Sequence, residues 1–341
     1  MTYPGDESDR VINRRNAIAA LAATLGAVGL ARAQQPTQRR IGLLIPYPET
    51  DAETQAHLTA LKEELRRLGW TEGRNLHLEP RWAPGSDPAL LERHGKELVA
   101  LKPDALLVRS TVVTTRILQL TRSIPLVFVA VSDPVGDGFV TSLAQPGGNA
   151  TGFTNVESSL GGKWLQLLKE TDPRLKRVAV LYGAKTAAGG GSYYLRLIKD
   201  AAASLPIEVE PTAVDDADGI TKALAAFARK GAGGLLVLPD ATTSAQRDTI
   251  LTTAARHRLP AIYPFEQFTR NGGLISYGVE ITDQFRRAAG YLDRILRGEK
   301  PGSLPVQAPI RFELVVNLKT AKALGLKMPQ TVLLQATRVI E

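Results

Sequence analysis

Apolar strands alternate with amphipathic helices along this chain, and the alternation constrains the fold more than any other feature of the sequence. Short apolar runs such as Ile41–Ile45 and Ala105–Arg109 have the length of buried strands. The stretch Thr54–Leu68 instead repeats leucine at helical spacing, and Gly69 follows where a left-handed helix end is favoured. Strands that alternate with helices of this length predict βαβ units and parallel sheets covered on both faces. We therefore expect an α/β protein.

The alternation occurs twice, which indicates two doubly wound lobes of similar size. The first set of strands and helices ends at the turn-rich cluster Gln145–Asn149. The second set runs from Lys163 to Tyr263. Its last helix is predicted to be continuous from Ser244 to His257. Three strand-like links are expected to cross between the lobes as a hinge: residues 150–154, 274–279 and 311–316.

The N-terminus has the organisation of an export signal. Arg14 and Arg15 precede an apolar run from Ala17 to Leu30, and Ala31-Arg32-Ala33 supplies small residues for cleavage. The run is shorter than the ~20 residues that a membrane span requires. We expect residues 1–33 to be removed and the protein to reach the periplasm, by the Sec or the twin-arginine route.

Composition and motifs argue against most chemical functions. The chain has no cysteine, which excludes disulfides and a cysteine nucleophile and leaves no attachment point for a lipid anchor. The net charge is +8, but acids and bases are mixed, as in Lys62–Arg67, so we expect a solvated surface and no nucleic-acid partner. No nucleophile elbow, phosphate loop or paired metal-binding histidines are present, so we expect no enzyme, cofactor or metal site. The histidines fall on predicted helices (His57, His94 and His257) or within a strand (His77).

Candidate binding residues lie in the loops that follow the strands. Ligands of doubly wound sheets bind beyond the carboxyl ends of the strands, near helix N-termini. These loops combine hydroxyl and acidic side chains with aromatic side chains, which suit the polar and apolar parts of a solute. The alternative is that the Ser, Thr and Asp side chains cap the helices that follow. The predicted ligand-binding residues are Tyr47, Glu49, Ser110, Thr111, Ser132, Asp133, Tyr182, Asp240, Thr242, Tyr263, Phe265 and Tyr277.

Within this set, different side chains are predicted to hold different parts of the solute. We expect Ser132 and Asp133 to fix its polar end. Its apolar body is predicted to lie between the rings of Tyr47, Tyr263 and Phe265. A solute with these two parts would be a small amphipathic organic molecule.

Charged side chains at the strand ends bear on the charge of the solute. Asp133 and Asp240 are placed to receive an ammonium group. Arg109, at the end of the third strand, leaves two alternatives open. A side chain that points into the cleft adds a cation and favours a more acidic solute, whereas one that points away is a surface charge.

Long stretches of the chain resemble ABC-transporter substrate-binding proteins, the family that includes the tryptophan- and tyrosine-binding TrpX-type proteins. The resemblance extends over residues 39–341. The stretches that carry it include RRIGLLIPYPETD from Arg39, LGWTEGRNLHLEPRWAPG from Leu68, IPLVFVAVSDPVGDGFVTSLAQPGGNATGFTN from Ile124, LLVLPDATTSAQRD from Leu235 and ARHRLPAIYPFEQFTRNGGLISYG from Ala255.

The resemblance implies a type I periplasmic-binding fold and a solute held between two lobes. Lobe one would lie near residues 38–149 plus 279–309, and lobe two near 151–273 plus 316–341. The implied partners are an inner-membrane ABC permease with its ATPase, and we expect the binding protein itself to be a monomer. Characterised members bind aromatic amino acids, so the expected solute is an amino acid or another aromatic or carboxylate-bearing compound.

Other functional classes remain as alternatives to transport. A transcription regulator with the same two-lobed sensor would need a DNA-binding helix-turn-helix in front, where residues 1–38 carry the export signal. A periplasmic sensor that presents its solute to a membrane receptor has the same sequence features as a transport protein. An enzyme would reveal itself by turnover of a substrate.

Overall fold

The computed structural model describes Met1 and residues 38–157 and 159–341. Arg39–Glu341 belong to one structural unit. The predicted export signal, with its arginine pair and its cleavage site, lies outside the described residues. Among the residues that are described, no helix combines the length and the apolar character needed to cross a membrane.

Five parallel strands form the first sheet. β3 and β4 are buried along their whole length, which is why each is an almost continuous apolar run. In space the order is β2-β1-β3-β4-β5, and every neighbouring pair is parallel. The strands are β1 (Arg39–Ile45), β2 (Leu76–Trp82), β3 (Ala105–Arg109), β4 (Leu126–Val131) and β5 (Ala150–Thr154). The helices that connect them are α1 (Ala52–Arg67), α2 (Pro88–Ala100) and α3 (Thr111–Leu120).

Seven strands form the second sheet, in the order β12-β11-β10-β9-β8-β6-β7. One pair, β10 with β11, is antiparallel, because β11 enters this sheet on its way back from the first one. The other neighbouring pairs are parallel. The strands are β6 (Arg177–Gly183), β7 (Glu208–Val214), β8 (Gly234–Val237), β9 (Ala261–Tyr263), β10 (Ile275–Val279), β11 (Phe312–Asn317) and β12 (Arg338–Ile340).

Of the remaining helices, α4 follows β5 of the first sheet and the others come after strands of the second sheet, although α10 packs on the first. They are α4 (Leu160–Thr171), α5 (Ser192–Ala202), α6 (Ala217–Arg229), α7 (Ala241–Ala245), α8 (Arg247–Arg256), α9 (Glu266–Arg270), α10 (Ile281–Leu296), α11 (Leu318–Leu324) and α12 (Gln330–Gln335). Short 3₁₀ turns occupy Pro84–Ser86, Ala188–Gly191 and Pro301–Ser303.

Aspartate caps and one glycine define several helix ends. The Asp216 carboxylate accepts a hydrogen bond from the Gly219 amide at 2.8 Å, at the start of α6. At the end of α1, Gly69 has a φ of +96°, as the sequence predicted. The predicted helix Ser244–His257 is instead two helices, α7 and α8. Asp240 caps α7 and so sets its start at Ala241, and Gln246, with φ −96° and ψ 19°, interrupts the helix before α8.

The chain passes between the two sheets three times. After β5 it enters α4, which packs on α5 of the second sheet. After β10 it enters α10, which packs on α1 and β4 of the first sheet. It then runs beside β5, where the Gln307 amide donates to the Gly152 carbonyl at 2.9 Å, before it returns as β11. That these passages form a hinge, with the predicted lobe boundaries, stays a prediction.

A buried glutamine fixes α10 to the first sheet. The side chain of Gln284 accepts a hydrogen bond from the Ala130 amide at 2.9 Å and donates one to the Thr154 carbonyl at 2.6 Å. Ala130 has a φ of +55°, a left-handed conformation that is uncommon for a residue with a Cβ. Gln284 therefore satisfies the backbone at the ends of β4 and β5, where the candidate site begins.

Candidate functional site

Loops from both sheets line a narrow cavity, which we call the chamber. The first sheet contributes the ends of β1, β3, β4 and β5, and the second contributes the loops after β8 and β9. The chamber is lined by Pro46, Tyr47, Arg109, Ser110, Ala130, Asn155, Pro239, Asp240, Ala241, Ser244 and Phe265.

A wider space of about 510 Å³, open to solvent, adjoins the chamber, and we call it the groove. Phe265 lines both spaces. The groove also receives Glu53 and His57 from the first turns of α1 and Arg247 from the start of α8. The two spaces together form a cleft with walls from both sheets.

Arg109 is buried in the chamber, with 2% of its surface exposed. Its guanidinium lies 4.4 Å from the ring centre of Tyr47, and its Nη1 lies 3.3 Å from Nδ1 of His57. Because a guanidinium can only donate, Nδ1 of His57 is the acceptor and its ring hydrogen is on Nε2. Among the described residues, Nη2 of Arg109 is buried without a hydrogen-bond partner. Of the two alternatives left by the sequence, the structure therefore shows Arg109 in the cleft.

Ser110, the next residue, adds a second donor at the start of α3. It has a φ of +83°, and its side chain makes no capping hydrogen bond to the helix. Its Oγ is likewise buried and has no hydrogen-bond partner within residues 38–157 and 159–341. Nη2 of Arg109 and Oγ of Ser110 are called the donor pair below. The first amides of α3 follow directly, and such a helix end favours negative charge.

His57 and Glu53 stand behind Arg109 on the side of the groove. The ring of His57 stacks on Phe285 at a centroid distance of 5.3 Å, and its Nε2 is 3.6 Å from Oε1 of Glu53. Burial first, and then the charge of Arg109, hold the pKa of His57 well below its ordinary value, so the ring is neutral at neutral pH. Burial raises the pKa of the Glu53 carboxyl, and the charge of Arg109 opposes this shift.

The sequence analysis missed these two residues because it considered the strand-end loops and not the helices. Glu53 and His57 are four residues apart at the start of α1, the helix that follows β1. Residues at this spacing share a helix face. One signal in the sequence could have identified them: an acid and a histidine share one face of the first two helical turns, just beyond a strand end.

Asp240 lines the chamber, but protein donors already occupy its carboxylate. Oδ1 accepts hydrogen bonds from the Thr243 amide and the Thr186 hydroxyl, both at 2.9 Å, and Oδ2 accepts from the Gly183 amide at 2.9 Å. Burial raises the pKa of this carboxyl, and the hydrogen bonds oppose the shift. Asp240 therefore caps α7 and joins it to the end of β6. For this residue the structure shows helix capping, the alternative to ligand binding that the sequence left open.

The structure brings four of the predicted residues into the chamber and places the others elsewhere. Those in the chamber are Tyr47, Ser110, Asp240 and Phe265. Thr111 and Thr242 lie next to chamber residues in sequence. The Thr111 hydroxyl accepts a hydrogen bond from the Ser132 amide, and the Thr242 hydroxyl lies 2.9 Å from the Thr186 hydroxyl. Glu49 is exposed, and Asp133 accepts from the Gly136 amide at 2.9 Å within its own turn.

Four further predicted residues do not line the chamber as the structure describes it: Ser132, Tyr182 and Tyr263 are buried, and Tyr277 is half-buried. The Ser132 hydroxyl is 2.9 Å from the hydroxyl of Tyr194. The ring of Tyr263 stacks on Phe268 at 5.0 Å, and that of Tyr277 stacks on Phe312 at 5.6 Å. Tyr182 is buried in the core of the second sheet. Asn155 and Ser244 line the chamber although the sequence analysis did not single them out.

Comparison with known proteins places the chain among solute-binding proteins. The model of a family described as "ABC transporter substrate binding protein" matches residues 47–340. The "Tyrosine-binding protein" of Clostridioides difficile (strain R20291) is 25% identical over 292 residues, which cover 85% of this chain and 82% of that protein. Within the described part of the chain, no cluster of three or more His, Cys, Asp or Glu side chains could hold a metal ion.

Solved structures show the same fold. A conserved domain protein from Vibrio cholerae O1 biovar El Tor is 27% identical with a TM-score of 0.82, over 89% of this chain and 100% of that one. The ABC domain from Streptococcus pneumoniae in complex with L-Trp is 23% identical with a TM-score of 0.82, again over 89% and 100%. The α/β class and the type I periplasmic-binding fold that the sequence predicted are confirmed.

Proposed function

Because the chain belongs to the family of ABC transporter substrate-binding proteins, we propose that it captures a small organic solute in the chamber and delivers it to an ABC permease and its ATPase. A curated relative is described as tyrosine-binding, and a similar structure holds L-Trp. The proposed solute is therefore an amino acid or another carboxylate-bearing compound, aromatic ones included. The role consists of binding and release and involves no covalent chemistry.

The observation that carries this proposal is the donor pair inside a chamber lined by both sheets. Buried polar groups are nearly always hydrogen-bonded in folded proteins, because leaving one unpaired costs about 1–3 kcal/mol. Two adjacent donors, Nη2 of Arg109 and Oγ of Ser110, lack a partner among the described residues. A solute that accepts hydrogen bonds from both would remove this cost, and the aromatic rings of Tyr47 and Phe265 would cover its apolar part.

The proposed capture mechanism is closure of the two lobes around the solute. The lobes have the boundaries that the resemblance implies, and the hinge lies near residues 150–154, 274–279 and 311–316, where the chain passes between the sheets. A solute that contacts Arg109 on one side and Phe265 on the other gains both sets of contacts only in the closed form, so it shifts the population toward closure. The permease would then recognise the closed form.

The proposed site of action is the periplasm. Family members that serve ABC transporters bind their solutes outside the cytoplasmic membrane. The signal organisation at residues 1–33 supports export of this chain, and a permease with its ATPase in the inner membrane would receive the solute.

Thermal unfolding with a panel of amino acids, aromatic acids and other small carboxylates tests the proposal. A ligand at 100 times its Kd stabilises the folded state by about 2.7 kcal/mol, so one chemical class is expected to raise the unfolding midpoint. Neutral sugars serve as a control class. The proposal fails if no compound raises the midpoint and mass spectrometry of the denatured protein detects no small molecule carried over from expression.

A further inference from the structure

The charges around the chamber restrict the solute further than the family does. We infer that the chamber binds an organic acid that has no ammonium group beside its carboxylate, with the carboxylate on the donor pair of Arg109 and Ser110. The inference rests on the proposed function and specifies its solute. It distinguishes this chain from the relatives that are described with tyrosine or L-Trp.

The positive side of the chamber is built to receive a carboxylate. Arg109 is nine-tenths buried or more, and it is held in place by the ring of Tyr47 and by Nδ1 of His57. These contacts involve one face of the guanidinium and Nη1, and Nη2 is left without a hydrogen-bond partner among the described residues. Ser110 adds a hydroxyl, and the first turn of α3 adds a positive helix end. Charge-assisted bonds of this kind are the strong hydrogen bonds in proteins.

The chamber offers no comparable partner to an ammonium group. Asp240 is the one acid among the described residues that line it, and three protein donors within 2.9 Å occupy both of its oxygens. An ammonium placed there would compete with these donors, because Oδ1 already accepts two hydrogen bonds and Oδ2 accepts one. The other polar lining residues, Asn155 and Ser244, are neutral. Within the described residues, the chamber therefore offers unpartnered donors to a carboxylate, whereas the one acid in its lining is already hydrogen-bonded to protein donors.

Four acids in the described part of the chain line the groove: Asp51, Glu53, Glu266 and Glu313. Glu53, whose Oε1 lies 3.6 Å from Nε2 of His57, is the alternative partner considered for an ammonium. Its Oε2 is buried, and no other described residue forms a hydrogen bond with it. However, the ring of His57 lies between Glu53 and Arg109, 3.3 Å from the guanidinium and 3.6 Å from the carboxyl. The ammonium of an α-amino acid is attached to the carbon that bears the carboxylate, so it stays close to the donor pair and on the chamber side of that ring. Burial also raises the pKa of Glu53, which weakens its charge.

Matched probes can show whether the wild-type protein binds an organic acid without an ammonium group or an amino acid whose ammonium group pairs with Glu53. Calorimetric titrations would compare 3-phenylpropanoate with L-phenylalanine, which differ only in the ammonium, and butanoate with L-2-aminobutanoate as a smaller pair. Phenethylamine supplies the ammonium alone. We expect the acid of at least one pair to bind about tenfold more tightly than its amino acid, because the added ammonium is desolvated without a partner. Phenethylamine is expected not to bind.

Two arginine variants test the role of the donor pair. Arg109→Gln is expected to weaken binding of the acid by about tenfold or more, since it removes a charged donor. Arg177→Gln is the matched control, because the guanidinium of Arg177 also lies over a ring, 4.5 Å from the centre of Phe227, but outside the chamber and the groove. The control is expected to keep wild-type affinity. If Arg109→Gln does not fold, the comparison of each acid with its amino acid in the wild-type protein still tests the inference.

The outcomes distinguish this inference from the proposed function. Tighter binding of the amino acids, with loss of that binding in Glu53→Gln, would overturn the inference and assign the ammonium to Glu53, while solute capture would stand. Binding of a neutral sugar and of no carboxylate would also overturn the charge assignment alone. Binding of no compound of any class would remove the proposed function together with the inference.

Discussion

Replacement of Gly278 by alanine is expected to destabilise the protein by about 3 kcal/mol or more. Gly278 lies in β10, and a Cβ at this position would meet the backbone carbonyl oxygen of Pro264 at 1.8 Å. Because the obstacle is backbone and not the end of a flexible side chain, either β10 or the loop after β9 must move. Pro264 precedes Phe265, which lines both the chamber and the groove, so we also expect weaker solute binding.

Gly290→Ala is the control for this prediction. Gly290 lies within α10, and no atom in the described part of the chain comes within 4 Å of the Cβ that alanine would add. Alanine is favoured over glycine in a helix by about 1 kcal/mol, so this variant is expected to be as stable as the wild type or more stable. Urea denaturation of both variants measures the difference. Equal stability of the two would show that the close approach at Gly278 is absent in solution.

Asp240→Ala is expected to cost about 3 kcal/mol, because it leaves several buried donors without an acceptor. The carboxylate of Asp240 accepts from the Thr243 and Gly183 amides and from the Thr186 hydroxyl, all at 2.9 Å. The variant would therefore loosen the start of α7 and the end of β6 together. Chemical denaturation measures the loss of stability.

Asp216→Ala provides the comparison for a simple helix cap. Asp216 is exposed and accepts a hydrogen bond from the Gly219 amide at the start of α6. Loss of such a cap costs about 1 kcal/mol. A small, equal loss of stability in both variants would contradict the role assigned to Asp240. Loss of solute binding with unchanged stability in Asp240→Ala would show that it contacts the solute directly.

The sequence predicted the α/β class and the strands well because buried parallel strands have a strong signal. The apolar run Ala105–Arg109 and the strand-like link at residues 150–154 have the same bounds in the structure. The antiparallel position of β11 could not be predicted, because strand direction depends on where the chain re-enters the second sheet. The division of Ser244–His257 into two helices was missed because it depends on the cap at Asp240 and on the geometry of Gln246, and a capping residue four positions upstream does not alter the apolar pattern.

The candidate site was predicted in part. The rule that ligands bind beyond strand ends led to Tyr47, Ser110 and Phe265, which line the chamber. The rule does not say to which side a strand-end side chain turns, and Tyr263 turned into the core, where its ring stacks on Phe268. For Arg109 the sequence left both directions open. The contact with His57 holds the Arg109 side chain in the cleft. It could not be predicted, because the two residues are 52 positions apart in the sequence.

Small-angle X-ray scattering of the protein, titrated with the acid that binds most tightly, tests the central claim that the two lobes close on a solute. The radius of gyration is expected to fall as the acid is added and to level off at one molecule per chain, over the concentration range in which calorimetry shows binding. Arg109→Gln is expected to show no fall at the same concentrations, and Arg177→Gln is expected to behave as the wild type. Saturable binding of the acid with an unchanged radius of gyration would contradict closure.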